Sequence, residues 1–133
     1  MKHLNTYITE YIIKKKLDEP IDSEDHYDYC PKSKGALKDT INKLIKQDIY
    51  DFNCIDTSAI TDMSKLFCNE GFEKINFNVS EWDVSNVEIM RRMFEESKFN
   101  GDISEWDVSK VKNMYNMFYN SPLQKNPPKW YKN

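Results

Sequence analysis

The chain has 133 residues, with 19 basic and 22 acidic side chains and a net charge of −3. The balance is even along the chain: residues 1–52 carry 9 basic and 10 acidic groups, and residues 53–133 carry 10 and 12. That length suits one domain with a modest core, and so even a balance excludes the strongly basic surface that sequence-independent nucleic-acid binding requires.

At the start, Leu4, Tyr7, Ile8, Tyr11 and Ile12 recur at helical spacing. Residues 4–16 are therefore expected to form an amphipathic helix, with Lys14, Lys15 and Lys16 in its last turn, where they suit the helix dipole. The segment has no apolar h-region and no small-residue cleavage site of a secretory leader. No run of the chain reaches the ~18 apolar residues of a membrane helix. A cytoplasmic protein that does not enter a membrane is the expectation.

Residues 18–28 follow as an acidic loop. Asp18, Glu19, Asp22, Glu24, Asp25 and Asp28 crowd into it with a single proline. Such a loop is either solvated or docks on a basic groove of a partner. His26 and Cys30 are four apart, but a zinc site needs about four ligands and no second pair lies nearby, so no metal is expected. Cys30, Cys54 and Cys68 are widely spaced and odd in number, as expected of reduced thiols. A second helix is predicted over residues 34–47, with Leu37, Ile41, Leu44 and Ile45 on one face.

The centre of the chain repeats itself. "SEWDVS" occurs at residues 80–85 and again at 104–109, and residues 80–97 match 104–121 at 11 of 18 positions. The frame is S-E-W-D-V-S-x-V-x-x-M-x-x-M-F-x-x-S. A degenerate copy, "DTSAITDMSKLF", precedes them at residues 56–67. In each copy an alternating stretch is followed by an apolar stripe such as Val87, Met90, Met93 and Phe94. The alternation predicts a short strand and the stripe predicts a short helix. Ser85 stands where an N-cap would, with Glu88 completing a capping box. Asp56, Asp83 and Asp107 recur at one place in every copy, which suits turn hydrogen bonding better than a single catalytic acid. The methionine and phenylalanine stripe reads as core.

These motifs resemble the BspA-like repeat family of bacterial surface proteins and mycoplasma lipoproteins. The residues that carry the resemblance are "ISEWDVSKVKNMYNMF", "VSEWDVSNVEIMRRMF", "IDTSAITDMSKLF" and "FNGDIS", within about residues 53–121. The resemblance implies an α/β fold of leucine-rich-repeat type, used as a binding surface, and it supplies no catalytic residues. The expected architecture is a short right-handed solenoid of three strand–helix repeats with a helical N-terminal cap. Residues 1–52 form that cap with the acidic loop, residues 53–78, 79–102 and 103–121 form the repeats, and residues 122–133 form a C-terminal cap.

The last stretch, "PLQKNPPKWYKN", has three prolines that can continue neither helix nor sheet. Trp130 within it is a candidate anchor for a partner. No hydrolase, metalloprotease, P-loop or dinucleotide motif occurs. An enzyme is not expected, nor is a cofactor. The expected function is non-catalytic binding of another macromolecule, a protein, inside the cell, by a monomer. Two surfaces are candidates: the acidic ladder of Glu81, Asp83, Glu105 and Asp107, and the loop from Asp18 to Asp28. One alternative is a phage or mobile-element inhibitor of a host defence nuclease, of the anti-CRISPR kind, which binds a basic nucleic-acid enzyme or its nucleoprotein complex. A second alternative is a fragment of a surface adhesin, which would need an export route.

Overall fold

The computed structural model describes residues 27–68, 72 and 76–132. The helix predicted over residues 4–16 and the acids Asp18, Glu19, Asp22, Glu24 and Asp25 lie outside the described residues.

Helix α1 runs Lys34–Lys46. Ser33 caps it, its hydroxyl accepting from the Ala36 N–H at 3.1 Å. At the other end the Asp48 N–H reaches the Ile45 carbonyl and the Ile49 N–H reaches that of Leu44. This is a Schellman closure with Asp48 at φ 58° in the place glycine usually takes. The helix buries Leu37, Ile41 and Leu44 in the core, as the periodicity predicts.

The expectation of three strand–helix repeats is overturned. Among the described residues α1 is the only α-helix, Pro122–Gln124 is a single 3₁₀ turn, and no strand forms. The repeat is instead a run of tight turns, stacked layer on layer. Isolated parallel bridges set the register: Tyr29 with Ile55, Asp51 with Asn78, Asp62 with Ile89, and Ile89 with Asn113.

Backbone dihedrals explain why the helical stripe makes no helix. Lys65, Arg92 and Asn116 hold the same place in successive layers and are left-handed, at φ 57°, 57° and 53°. One such residue ends a right-handed helix. From there the N–H groups divide into two sets. Met63, Lys65 and Phe67 donate to the carbonyls of Ile89, Arg91 and Met93 in the next layer. Met90, Arg92, Phe94 and Glu96 donate onward to Asn113, Tyr115, Met117 and Tyr119. The residues between close turns within their own layer, as Met93 to Met90 and Glu95 to Arg92 do. A run of β-turns that steps by three residues places apolar side chains inward about as regularly as a helix does, so the stripe is shared by both structures.

The aspartates close corners. The Oδ1 atoms of Asp51, Asn78 and Asp102 accept from the N–H groups of Asn53, Ser80 and Ser104. Those of Asp56, Asp83 and Asp107 accept from Ser58, Ser85 and Ser109. These are Asx-turns, the local side-chain alternative to helix or sheet. The capping box is corrected with them: Ser85 caps nothing, and its hydroxyl donates to Asp83 at 2.6 Å.

Identical residues stack into columns. Phe67, Phe94 and Phe118 lie with ring centroids 5.5 and 5.7 Å apart. The indole N–H groups of Trp82, Trp106 and Trp130 donate to the carbonyls of Phe52, Val79 and Ile103. Trp130 follows Trp106 by 24 residues, as Trp106 follows Trp82. The last stretch therefore opens a fourth layer in register with the others. From α1, Lys34 reaches the stack: its Nζ donates to Ser64 Oγ at 2.9 Å and lies 3.6 Å from Asp62.

A substitution separates this backbone from a helical one. Lys65→Gly is expected to leave stability unchanged or to raise it by up to about 1 kcal/mol. Relief of the left-handed cost, ~1–2 kcal/mol, offsets the added chain entropy of glycine, roughly 0.5–1 kcal/mol. In a helix the same change costs about 1 kcal/mol. Urea unfolding followed by circular dichroism gives the sign, and a loss of that size would restore the helix.

Candidate binding surface

The residues just before α1 join the stack. The Asp28 N–H donates to the Cys54 carbonyl at 3.0 Å, and the Asp56 N–H donates to the Tyr29 carbonyl at 2.8 Å. With the layer register, this puts Asp28 in one column with Cys54, Glu81 and Glu105. Cys30, Asp56, Asp83 and Asp107 form the neighbouring column. Asp28, the last acid of the predicted loop, is thus aligned with the acidic ladder, with buried Cys54 between it and Glu81. Asp28, Glu81, Asp83, Glu105 and Asp107 are all exposed.

The electrostatics agree with that placement. Burial raises the pKa of the Tyr27 phenol, and the charges of Asp56, Asp83 and Glu81 raise it further. For Asp56, burial pushes the carboxyl up, but the Ser58 hydroxyl and amide and nearby Lys32 outweigh it and the group sits below its ordinary value. The Ser109 hydroxyl and amide hold Asp107 below its ordinary value as well. A carboxylate that accepts such bonds stays ionised at neutral pH. The corner aspartates therefore serve the fold with one oxygen and present charge to solvent with the other.

The ladder is partly neutralised at its far edge. Lys112 Nζ lies 3.1 Å from Glu88 Oε1, and Lys110 Nζ donates to Asn86 Oδ1 at 3.0 Å. Both lysines are exposed, so these contacts contribute little stability.

Trp130 does not stand out as a free anchor. It is half-buried and stacks on Trp106 at 6.2 Å between centroids, and its N–H is held by Ile103. A different set of apolar groups reaches solvent. Ile89 is 36% exposed, Tyr115 54% and Tyr119 49%. They lie along the turn runs, and the sequence reading missed them. The available signal was a departure from the repeat: Tyr115 and Tyr119 replace Arg91 and Glu95 of the layer before.

Among the described residues, no cluster of three His, Cys, Asp or Glu could hold a metal ion. Cys30, Cys54 and Cys68 are free thiols. Burial and Glu95 push the Cys68 thiol up, which keeps it protonated and weakly nucleophilic. Among the described residues, no helix is long and apolar enough to cross a membrane.

Residues 36–132 match the family described as Mycoplasma protein of unknown function, DUF285. The chain belongs to that family. The DUF285 match begins inside α1 and runs past Trp130, so it takes in the first cover of the stack and the opening of its fourth layer. No curated protein and no solved structure matches this DUF285 chain.

Proposed function

We propose that this chain is a non-catalytic protein-binding module of BspA-like type, and that its partner presents a basic surface. The observation that carries the reading is the acidic face of two neighbouring columns, one with Asp28, Glu81 and Glu105 and the other with Asp56, Asp83 and Asp107. Like charges held in register repel one another and weaken the fold, while a partner of opposite charge gains from the same arrangement.

A second reading is favoured by the extent of the face, from Asp28 to Glu105 and Asp107 in the third layer. A long acidic strip suits the basic channel of a nucleic-acid enzyme, so the module would act as an inhibitor of a host nuclease inside the cell.

The test uses the full chain, tagged, against lysate and envelope fractions of its host. The double reversal Glu81→Lys/Glu105→Lys is expected to weaken the captured partner at least about tenfold and to remove most of the salt dependence. A partner held equally well by the reversed chain would sink the proposal. Capture of a nuclease or nucleoprotein that depends on the acids selects the inhibitor reading.

A further inference from the structure

We infer that Asn100–Gly101 is a site of spontaneous covalent modification, at which Asn100 loses ammonia and becomes isoaspartate or aspartate. This inference concerns the third layer itself and does not rest on the acidic face.

Asn-Gly occurs once in the chain, at residues 100–101. The chemistry needs a carboxamide and the backbone nitrogen that follows it to meet. The Gly101 nitrogen attacks Cγ of Asn100 and an N–C bond forms. The Cγ–Nδ2 bond breaks, and Nδ2 leaves as ammonia, taking up the proton that the backbone nitrogen gives away. Water then opens the resulting succinimide ring at either carbonyl. One opening gives aspartate. The other gives isoaspartate, with the main chain rerouted through the side chain. No oxidant, reductant or cofactor takes part. A residue without Cβ after the asparagine lets the nitrogen approach.

The fold leaves both reacting groups unengaged. Asn100 is exposed; its own N–H donates to Asn76 Oδ1, but its carboxamide has no hydrogen-bond partner among the described residues. The Gly101 N–H has no acceptor among the described residues either. Other asparagines are held. Oδ1 of Asn78 accepts from the Ser80 N–H and Oδ1 of Asn113 from the Tyr115 N–H, while Asn86 uses both ends of its carboxamide, on Ser58 and Lys110. Asn120–Ser121 is the rival pair, since serine is also small. There the Ser121 N–H is already bonded to the Phe118 carbonyl at 3.1 Å, which withholds the attacking nitrogen.

The packing demands the glycine and gives the modification a consequence. A Cβ at Gly101 would lie 2.8 Å from Cε1 and Cζ of Phe99, so a larger residue fits only if that ring moves. Phe99 is buried, with its centroid 4.5 Å from that of Phe94 and 4.9 Å from that of Phe77. On the other side of the pair, Asp102 Oδ1 accepts from the Ser104 N–H at 2.9 Å and closes a corner. Isoaspartate inserts an extra backbone carbon between these two fixed points, so the ring or the corner must shift in a close-packed interior. Aspartate keeps the chain length and adds only a negative charge.

The test is to age the full-length protein at mildly alkaline pH and digest it with trypsin. The peptide of residues 99–110 holds Asn100 as its only asparagine. It is expected to split into aspartyl and isoaspartyl forms, separated by chromatography and identified by mass. The peptide of residues 113–125, which holds Asn120, is expected to stay unmodified. Conversion is expected to be lost in Asn100→Gln, whose longer side chain closes the corresponding ring far more slowly. The fresh variant should unfold at the wild-type midpoint, because the carboxamide it replaces holds nothing. On ageing, the midpoint is expected to fall for the wild type and to stay in place for Asn100→Gln. A native chain that stays unmodified while a synthetic peptide of residues 98–110 converts would overturn the inference. So would conversion at Asn120 ahead of Asn100, or an equal fall in midpoint for the aged variant.

Discussion

Phe94→Ala is expected to cost about 3–5 kcal/mol of folding stability, the range for deleting a fully buried aromatic ring. Phe94 has no exposed surface and lies between Phe67 and Phe118 at 5.5 and 5.7 Å, with Phe99 at 4.5 Å. The space left behind cannot readily close. The Phe67 and Phe94 amides are tied to the carbonyls of Met93 and Met117, so the layers above and below are held at their spacing. A domain of this size is stable by roughly 5–15 kcal/mol, so the loss is a large fraction of the total. Chemical denaturation of the variant gives the number. A loss below about 1 kcal/mol would mean that the layers slide together around the missing ring, and that the column is looser than its geometry.

Trp130→Ala is expected to destabilise the fold by about 2–4 kcal/mol, somewhat less than a fully buried tryptophan would. The side chain is half-buried, stacks on Trp106, and donates 2.8 Å to the Ile103 carbonyl. Trp130→Phe keeps the stacking and loses the bond, and should cost about 1 kcal/mol. The comparison also decides between two roles. If Trp130→Ala leaves the denaturation midpoint in place and abolishes capture of a partner, the indole is a binding anchor. A fall in the midpoint with partner capture intact makes it the fourth rung of the tryptophan column.

The repeat was legible because stacking demands it. A ring stacked on its own kind imposes the same residue at the same place in the next layer, and the letters "SEWDVS" record that demand. The second helix was equally legible, since the spacing of its apolar face is local. The role of the corner aspartates followed from their recurrence, and the Asx-turns bear it out. The conformation of each unit was not legible. Val87, Met90, Met93 and Phe94 satisfy a helical stripe and a run of β-turns stepping by three residues alike, and nothing local separates the two. Arg92 in the left-handed region carries no sequence signal, because arginine is not a residue that favours it.

The acidic surface divides in the same way. Each acid was visible one at a time, but the alignment of Asp28 with the ladder depends on the bridge from Tyr29 to Ile55, which joins residues far apart in the chain. Tyr115 and Tyr119 stay exposed because the outward side of a turn run is open, whatever stands there. By itself the sequence determined the period, the columns and α1, since these rest on which side chains must meet their like. Only the tertiary structure decided that the units are turns and not strands and helices. The backbone N–H groups of one layer find their acceptors in the next layer, and hydrogen bonds between layers outweigh the local preference of any single repeat.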